Sequence, residues 1–270
     1  METMITLAGK EDEEELFQYL GKDNPWTVFF YGDYHTFGID SKIAKFYISR
    51  TNGKISFVYL FYRNTLVSFY SQDEDYPLGA AEAFLSGKKV SVLSGKESLV
   101  SRLLPVLPGK SLQSCYLAVL KSAPAMDRNL PSGMSLRELA TEEDFRKLEK
   151  LVDSIEEFAA SREASRKPYS QYLVEKKGGC HFLGVFFEDG RLLATASSSA
   201  DNDVSAMVVS VCTDKDFRGK GLATFAIRKL AEIEFSSGKK YLALFYDNPE
   251  AGKIYRKAGF SEIGKYAMIR

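Results

Sequence analysis

The segment DFRGKGLATFAIRKLAEIEF, residues 216–235, sets a glycine-softened turn with two cations directly ahead of an amphipathic stretch. Leu222, Ala226, Leu230 and Ile233 recur at helical spacing, which starts a helix at Gly221 or Leu222 and points its first unpaired N–H groups into the turn. Gly219 and Gly221 carry no Cβ to hold a ligand off the backbone. Arg218 and Lys220 add charge beside the positive end of the helix dipole, and Thr224 adds a hydroxyl donor in the first turn. The combination is an anion site suited to phosphate. It is neither a Walker loop, whose Gly-x4-Gly-Lys-Ser/Thr order is absent, nor a full dinucleotide fingerprint, since Thr224 stands where the third glycine belongs. As an isolated string the turn is as readily structural as phosphate-binding.

Placed between a strand and a helix, the turn resembles the signature of the GCN5-related N-acetyltransferases (GNAT): Arg or Gln, two residues, Gly, one residue, then Gly or Ala, here Arg218-Gly-Lys-Gly221-Leu-Ala223. A second stretch, YDNPEAGKIYRKAGF, carries Asn248, Ala251, Tyr255, Gly259 and Phe260 in the pattern of the same family. The resemblance covers about Ser135 to Arg270. It implies that Arg218, Gly219, Lys220, Gly221, Leu222, Ala223 and Thr224 hold the pyrophosphate of acetyl-CoA. It further implies that Val211, Cys212 and Thr213 form a splayed strand whose backbone pairs with the pantetheine arm, with Asn248 nearby and Tyr255 close to the thioester sulfur.

Those placements fit acyl transfer to an amine by direct attack. The departing CoA thiol has an acidity like that of cysteine, pKa ~8.5, and a tyrosine of pKa ~10 can protonate it as general acid. Backbone N–H groups on the splayed strand would polarise the carbonyl. Packing is the ordinary role of a tyrosine, and only the motif singles out Tyr255. Some family members place a glutamate six residues before the position of Thr213, where this chain has Met207. Glu157 and Glu163 are base candidates by region alone, each reading first as a solvated surface carboxylate, in a loop (residues 156–170) where the family shapes its acceptor site. The expected function is an acetyl-CoA-dependent N-acetyltransferase acting on a small-molecule or protein amine. The alternatives are a non-catalytic acyl-CoA-binding or sensing module, which Met207 favours, and a nucleotide-binding protein with a look-alike turn.

The elements around the motifs occur twice. FLSGKKVSVL begins at Phe84 and FSSGKKYLAL at Phe235, 151 positions later. Strand-like runs flank Asn52-Gly53, a two-residue hairpin turn, in the first half and Asp189-Gly190 in the second, and a third strand follows each. Each half then reads as helix, Gly-Lys-Lys string opening a strand, helical stretch and last strand. The expected fold is α/β (α+β): two GNAT-like domains, residues 1–125 and 134–270, each a mixed, mostly antiparallel sheet flanked by helices. KSAPAMDRNLPSGMS, residues 121–135, breaks the periodicity between them with Pro124, Pro131 and Gly133. Thr141 to Asp144 form a capping-box pattern ahead of an apolar stripe from Phe145 to Phe158. The first half is expected to be degenerate. It has SQDEDYPLGAAEAF in place of the glycine turn, its acidic Asp73-Glu74-Asp75 would repel a pyrophosphate, and Glu97 and Leu104 stand opposite Asn248 and Tyr255. Its aromatic runs, including Phe57, Tyr59, Phe61 and Phe69, suit a sheet core.

Lysine plus arginine equals aspartate plus glutamate at 36 each, so no overall positive field recruits nucleic acid as the main partner. No stretch reads as a signal peptide or membrane helix, which sets the expectation of a cytoplasmic protein. Cys115, Cys180 and Cys212, with His35 and His181 as the only histidines, suggest neither a disulfide framework nor a metal site. His181 reads as a strand-end residue. A homo-oligomeric state stays open.

Overall fold

The computed structural model describes residues 3–126, 129–156, 158 and 166–270. The chain divides into two compact units, one of Met1–Ala118 with Phe245–Asp247 and Glu262–Arg270, the other of Val119–Leu244 with Asn248–Ser261. The strands are β1 (Thr3–Leu7), β2 (Ala44–Thr51), β3 (Lys54–Tyr62), β4 (Leu66–Tyr70), β5 (Val92–Lys96), β6 (Leu112–Leu120), β7 (Met134–Glu138), β8 (Phe182–Phe187), β9 (Leu192–Ser199), β10 (Ser205–Thr213), β11 (Tyr241–Tyr246) and β12 (Ser261–Ile269). The helices are α1 (Glu13–Leu20), α2 (Val28–Phe37), α3 (Leu78–Leu85), α4 (Glu97–Val100), α5 (Glu142–Asp153), α6 (Tyr169–Lys177), α7 (Leu222–Ser236) and α8 (Pro249–Lys257).

In the first unit the strand order is β1-β2-β3-β4-β5-β12-β6. The β2–β3 hairpin turns at Asn52 and Gly53, both left-handed, which matches the twist of the flanking strands. Alternation along β3 separates two cores: Phe57, Tyr59 and Phe61 pack with Ala81 and Leu85 of α3, while Val58 and Leu60 pack with Leu16, Leu20 and Phe30 of α1 and α2. The aromatic runs are therefore sheet core, as their composition suggests. β4 and β5 run parallel and stay paired through Phe69↔Gly95. A Cβ on Gly95 would lie 2.6 Å from the Phe69 carbonyl oxygen and 2.7 Å from Val100 Cγ1, so this close approach requires glycine. On its other side β5 takes β12, the last strand of the chain, as an antiparallel neighbour.

The second unit has the order β7-β8-β9-β10-β11, antiparallel up to β10 and parallel between β10 and β11. Phe145, Leu148 and Leu151 of α5, with Ile155 just beyond its end, pack against Phe182 and Phe186 of β8 and Tyr172 of α6. Thr141 and Asp144 form the capping box that the sequence announces. Asp144 is buried and does more than cap: Arg137 grips both its oxygens at 2.6 and 2.8 Å, and the Ala140 and Thr141 N–H groups donate to it. The Arg137 guanidinium beside it, with those N–H groups, holds the Asp144 carboxyl well below the usual carboxylate range. Arg137 also lies over the Phe186 ring at 3.8 Å, so one cation joins β7, β8 and the start of α5.

The doubled string has one local meaning in both units. Gly87 and Gly238 adopt left-handed backbone just after α3 and α7 and let the chain reverse into β5 and β11. The lysines after them then part company. Lys88 lies over the Phe84 ring at 4.3 Å, whereas Lys239 meets the buried Asp201 carboxylate at 2.6 Å.

Two stability measurements test this packing. Asp144→Asn is expected to cost about 1–3 kcal/mol in urea unfolding at pH 7. Because the native carboxyl is depressed, its contribution is present above the ordinary aspartate value of ~4 and is lost as pH falls through the native value, so wild type and variant should converge in acid. An unchanged difference at low pH would contradict the ion-pair account. Gly95→Ala should lower stability by about 1–3 kcal/mol through overpacking, and a neutral effect would show that β4 and β5 can separate at Phe69.

Candidate functional site

Strand β10 breaks its pairing on both sides. Against β9 the register runs Val209↔Ser197 and then Cys212↔Thr195, so Ser210 and Val211 together face the single residue Ala196. Such a two-against-one bulge bends its strand, and here Ser210 takes a left-handed φ of 52°. Against β11 the parallel pairing covers only Ser205↔Tyr241, Ala206↔Leu242 and Met207↔Ala243. From Val208 onward the β11-facing edge of β10 is open.

The ladder decides which residues line that edge. The Asp214 N–H donates to the Leu193 carbonyl at 2.8 Å, so with period two the Cys212 main chain also faces β9. Val211 and Thr213 face the other way. The Thr213 carbonyl accepts a long hydrogen bond, 3.4 Å, from Arg218 Nε. Of the three residues expected to pair with a pantetheine arm, two therefore present their main chain and one does not. The Cys212 side chain sits in the α5 core, where burial pushes its thiol up to about 12 and leaves it without nucleophilic character.

Beyond β10 the chain makes a short turn at Lys215–Phe217, capped by the Asp214 side chain accepting from the Asp216 N–H. Gly219 and Gly221 have φ of 78° and 77°, and Gly221 is the N-cap of α7. The helix starts where the apolar spacing puts it. No side chain caps its N-terminus, and the first helical bond runs from the Phe225 N–H to the Gly221 carbonyl at 3.0 Å. A Cβ on Gly219 would meet only open space, so the left-handed backbone selects glycine there rather than any neighbouring protein atom. Arg218, Gly219 and Lys220 are exposed, and Lys220 Nζ rests 4.6 Å above the Phe217 ring. The side chains of Leu222 and Ala223 are buried, so these two residues offer the site only their N–H groups; Thr224 is partly exposed.

The second motif builds α8. Asn248 is its N-cap, with Oδ1 accepting the Glu250 N–H at 2.9 Å, and Pro249 fills the first helical position. Gly259 reverses the chain after the helix at φ 98°. Tyr255 is 9% exposed and packs edge-on to Phe260, with ring centroids 6.2 Å apart. Arg228 of α7 donates to the Lys257 carbonyl at 3.2 Å and ties the two motif helices together. Asn248 and Gly259 are thus a helix start and stop as well as motif positions, a double duty the sequence reading passes over.

Met207 is the last β10 residue paired to β11, and its side chain is buried. Glu157 and Glu163 lie outside the described residues. His181 stands at the start of β8 with Nδ1 3.4 Å from Glu138 and its N–H donating to Ser198 Oγ, a strand-end role. Among the described residues no cluster of His, Cys, Asp and Glu is set to hold a metal ion, and no helix is long and apolar enough to cross a membrane. The Ser210–Val211 bulge had no signal in the sequence, since neither glycine nor proline marks it.

Residues 136–260 match the model of the acetyltransferase (GNAT) family. No curated protein sequence matches the chain. Among solved structures, a Drosophila protein is similar at a TM-score of 0.75 and 16% identity, over 99% of this chain and 98% of that one. A GCN5-related N-acetyltransferase-like protein from Streptococcus suis gives 0.62 and 17%, over 96% and 99%. A tandem GNAT protein from the clavulanic acid biosynthesis pathway gives 0.61 and 12%, over 99% and 98%. The fold is that of these proteins, and residues 136–260 are a domain of the acetyltransferase (GNAT) family.

Proposed function

We propose that the chain is an acetyl-CoA-dependent N-acetyltransferase that acts on a small-molecule or protein amine by direct attack. The observation that carries this reading is the open edge of β10 leading into the uncapped N-terminus of α7. Main-chain groups of Val211 and Thr213 meet the amides of an extended pantetheine arm as a strand would. Arg218, Gly219, Lys220, Gly221, Leu222, Ala223 and Thr224 take the pyrophosphate, through N–H groups, the Thr224 hydroxyl and the two cations. Asn248 has one amide oxygen committed to its helix and keeps its Nδ2 donor for the arm.

The donor supplies an acetyl thioester, whose carbon–sulfur bond breaks as the acceptor nitrogen bonds to the acetyl carbon. Tyr255 gives its phenolic proton to the leaving sulfur. Met207 stands where some family members place a glutamate, so the acceptor arrives neutral or loses its proton to water or to another group, with Glu157 and Glu163 the candidates by region. Met207 also favours the second reading, a binding or sensing module without turnover. We read residues 1–125 as a degenerate copy of 134–270. The pairing of β4 and β5 through Phe69↔Gly95, and Pro77 at the start of α3 in place of a glycine turn, support this reading.

Calorimetry should show acetyl-CoA binding well above ATP, and Gly221→Val, which forbids the left-handed cap, should weaken that binding at least tenfold. Equal affinity for ATP would sink the pantetheine assignment. Tyr255→Phe should slow thiol release over an amine panel by about 10²-fold or more and leave acetyl-CoA affinity within twofold. Normal turnover of the bound variant would remove Tyr255 from the chemistry, and absence of turnover with every amine would favour the sensing module.

A further inference from the structure

The end of the second unit opposite the glycine turn holds a buried group that the proposed reaction does not use. Glu234, in the last turn of α7, has no solvent exposure, and neither of its carboxyl oxygens has a hydrogen-bond partner. Its neighbour Asp201, 3% exposed, lies in the turn between β9 and β10. Asp201 Oδ1 receives the Lys239 ammonium at 2.6 Å, while Oδ2 has no partner. Lys239 spends a further bond on the Asn202 carbonyl. One cation thus serves two buried carboxyl groups, with the Ser198 hydroxyl as the other donor facing Glu234.

Two facing carboxyl groups buried with a single cation between them are satisfied most simply by a shared proton. We propose that Glu234 is a neutral carboxylic acid whose proton is held toward Asp201, forming a latch between the end of α7 and the turn that launches β10, and that ionisation of Glu234 loosens this latch. The surroundings offset the burial only in part. From β9 the Ser198 hydroxyl donates toward Glu234, and from the turn after α7 Lys239, bonded to Asp201 and the Asn202 carbonyl, adds its charge; both favour the ionised form and neither outweighs burial. The Cys180 thiol next to Asp201 is pushed up to about 12 by burial and stays neutral. Gly179 closes the remaining side, since a Cβ there would stand 2.5 Å from Asp201 Oδ1.

The turn itself is built to hold Asp201 still. Ala200 is left-handed at φ 50°, and Asn202 Oδ1 accepts the N–H groups of Val204 and Ser205 at 2.9 and 3.0 Å. The Lys240 N–H donates to the Val204 carbonyl at 2.7 Å, so the latch and the first turn of the parallel pairing are one unit. Burial first, and then the Asp201 charge, raise the Glu234 carboxyl from the ordinary 4.5 to about 7.

A native value above the unfolded one means that the native state keeps a proton the unfolded chain has lost. The stabilisation is therefore complete below pH 4.5 and is lost as pH rises to about 7, with no further loss beyond. The test compares wild type with Glu234→Gln, which keeps a donor toward Asp201 at every pH. Relative to the variant, the wild-type unfolding constant should rise by up to about tenfold per pH unit in that window and level off above it. Amide exchange at residues 200–204 and 237–240, corrected for intrinsic rate, should likewise quicken with pH in wild type alone. Parallel stability profiles for the two proteins would overturn the proposal. Should the variant fail to fold, the carboxyl carbon of Glu234 followed by NMR in wild type decides: a midpoint near an ordinary glutamate rejects the neutral acid, and one near 7 supports it.

Discussion

The proposed cofactor site in the second unit depends on where the parallel pairing of β10 with β11 stops. Up to Met207 the two strands satisfy each other; one residue later they do not. Because buried backbone groups must find partners, a strand edge left open inside a fold is either a cost or a binding surface. The bulge at Ser210 and Val211 lies within the open stretch and sets the phase in which Val211 and Thr213 face away from β9. The glycine turn then delivers the uncapped amides of α7 to the end of the same edge.

On the proposed reading of residues 1–125 as a degenerate copy, the first unit carries the same plan with the opening closed. Its parallel pair β4 and β5 runs from Leu66↔Val92 to Phe69↔Gly95, and Gly95 removes the one Cβ that would force the strands apart. The segment between β4 and α3 is acidic rather than cationic, and its Glu74 is occupied by Lys96 at 2.7 Å. β4 pairs with β3 without a register shift, whereas β10 has one against β9.

Much of this was legible in the residues. The Asn52-Gly53 turn, the stripe of α5, the capping box at Thr141 and the start of α7 at Leu222 all arise from local rules that the structure obeys. The candidate site was legible only where it is carried by unusual local chemistry, namely paired glycines beside two cations. The bulge was not, because Ser-Val is an ordinary strand sequence and the left-handed Ser210 is imposed by its neighbours. Nor was the placement of β12 beside β5, a long-range pairing that no local pattern encodes. Glu234 was hidden for a related reason: a glutamate at the end of a helix reads as solvated, and only the packing of Asp201 and Lys239 around it shows otherwise.

The central claim is that the open edge of β10 and the amides beginning α7 form one continuous receptor for a pantetheine-linked diphosphate. Amide hydrogen exchange with and without acetyl-CoA reads those N–H groups individually. Protection gathered at Val211, Thr213 and residues 221–224, with residues 72–80 of the first unit unchanged, is the expected pattern. Saturating acetyl-CoA that leaves the β10 edge and the α7 amides exchanging as freely as before would contradict the account.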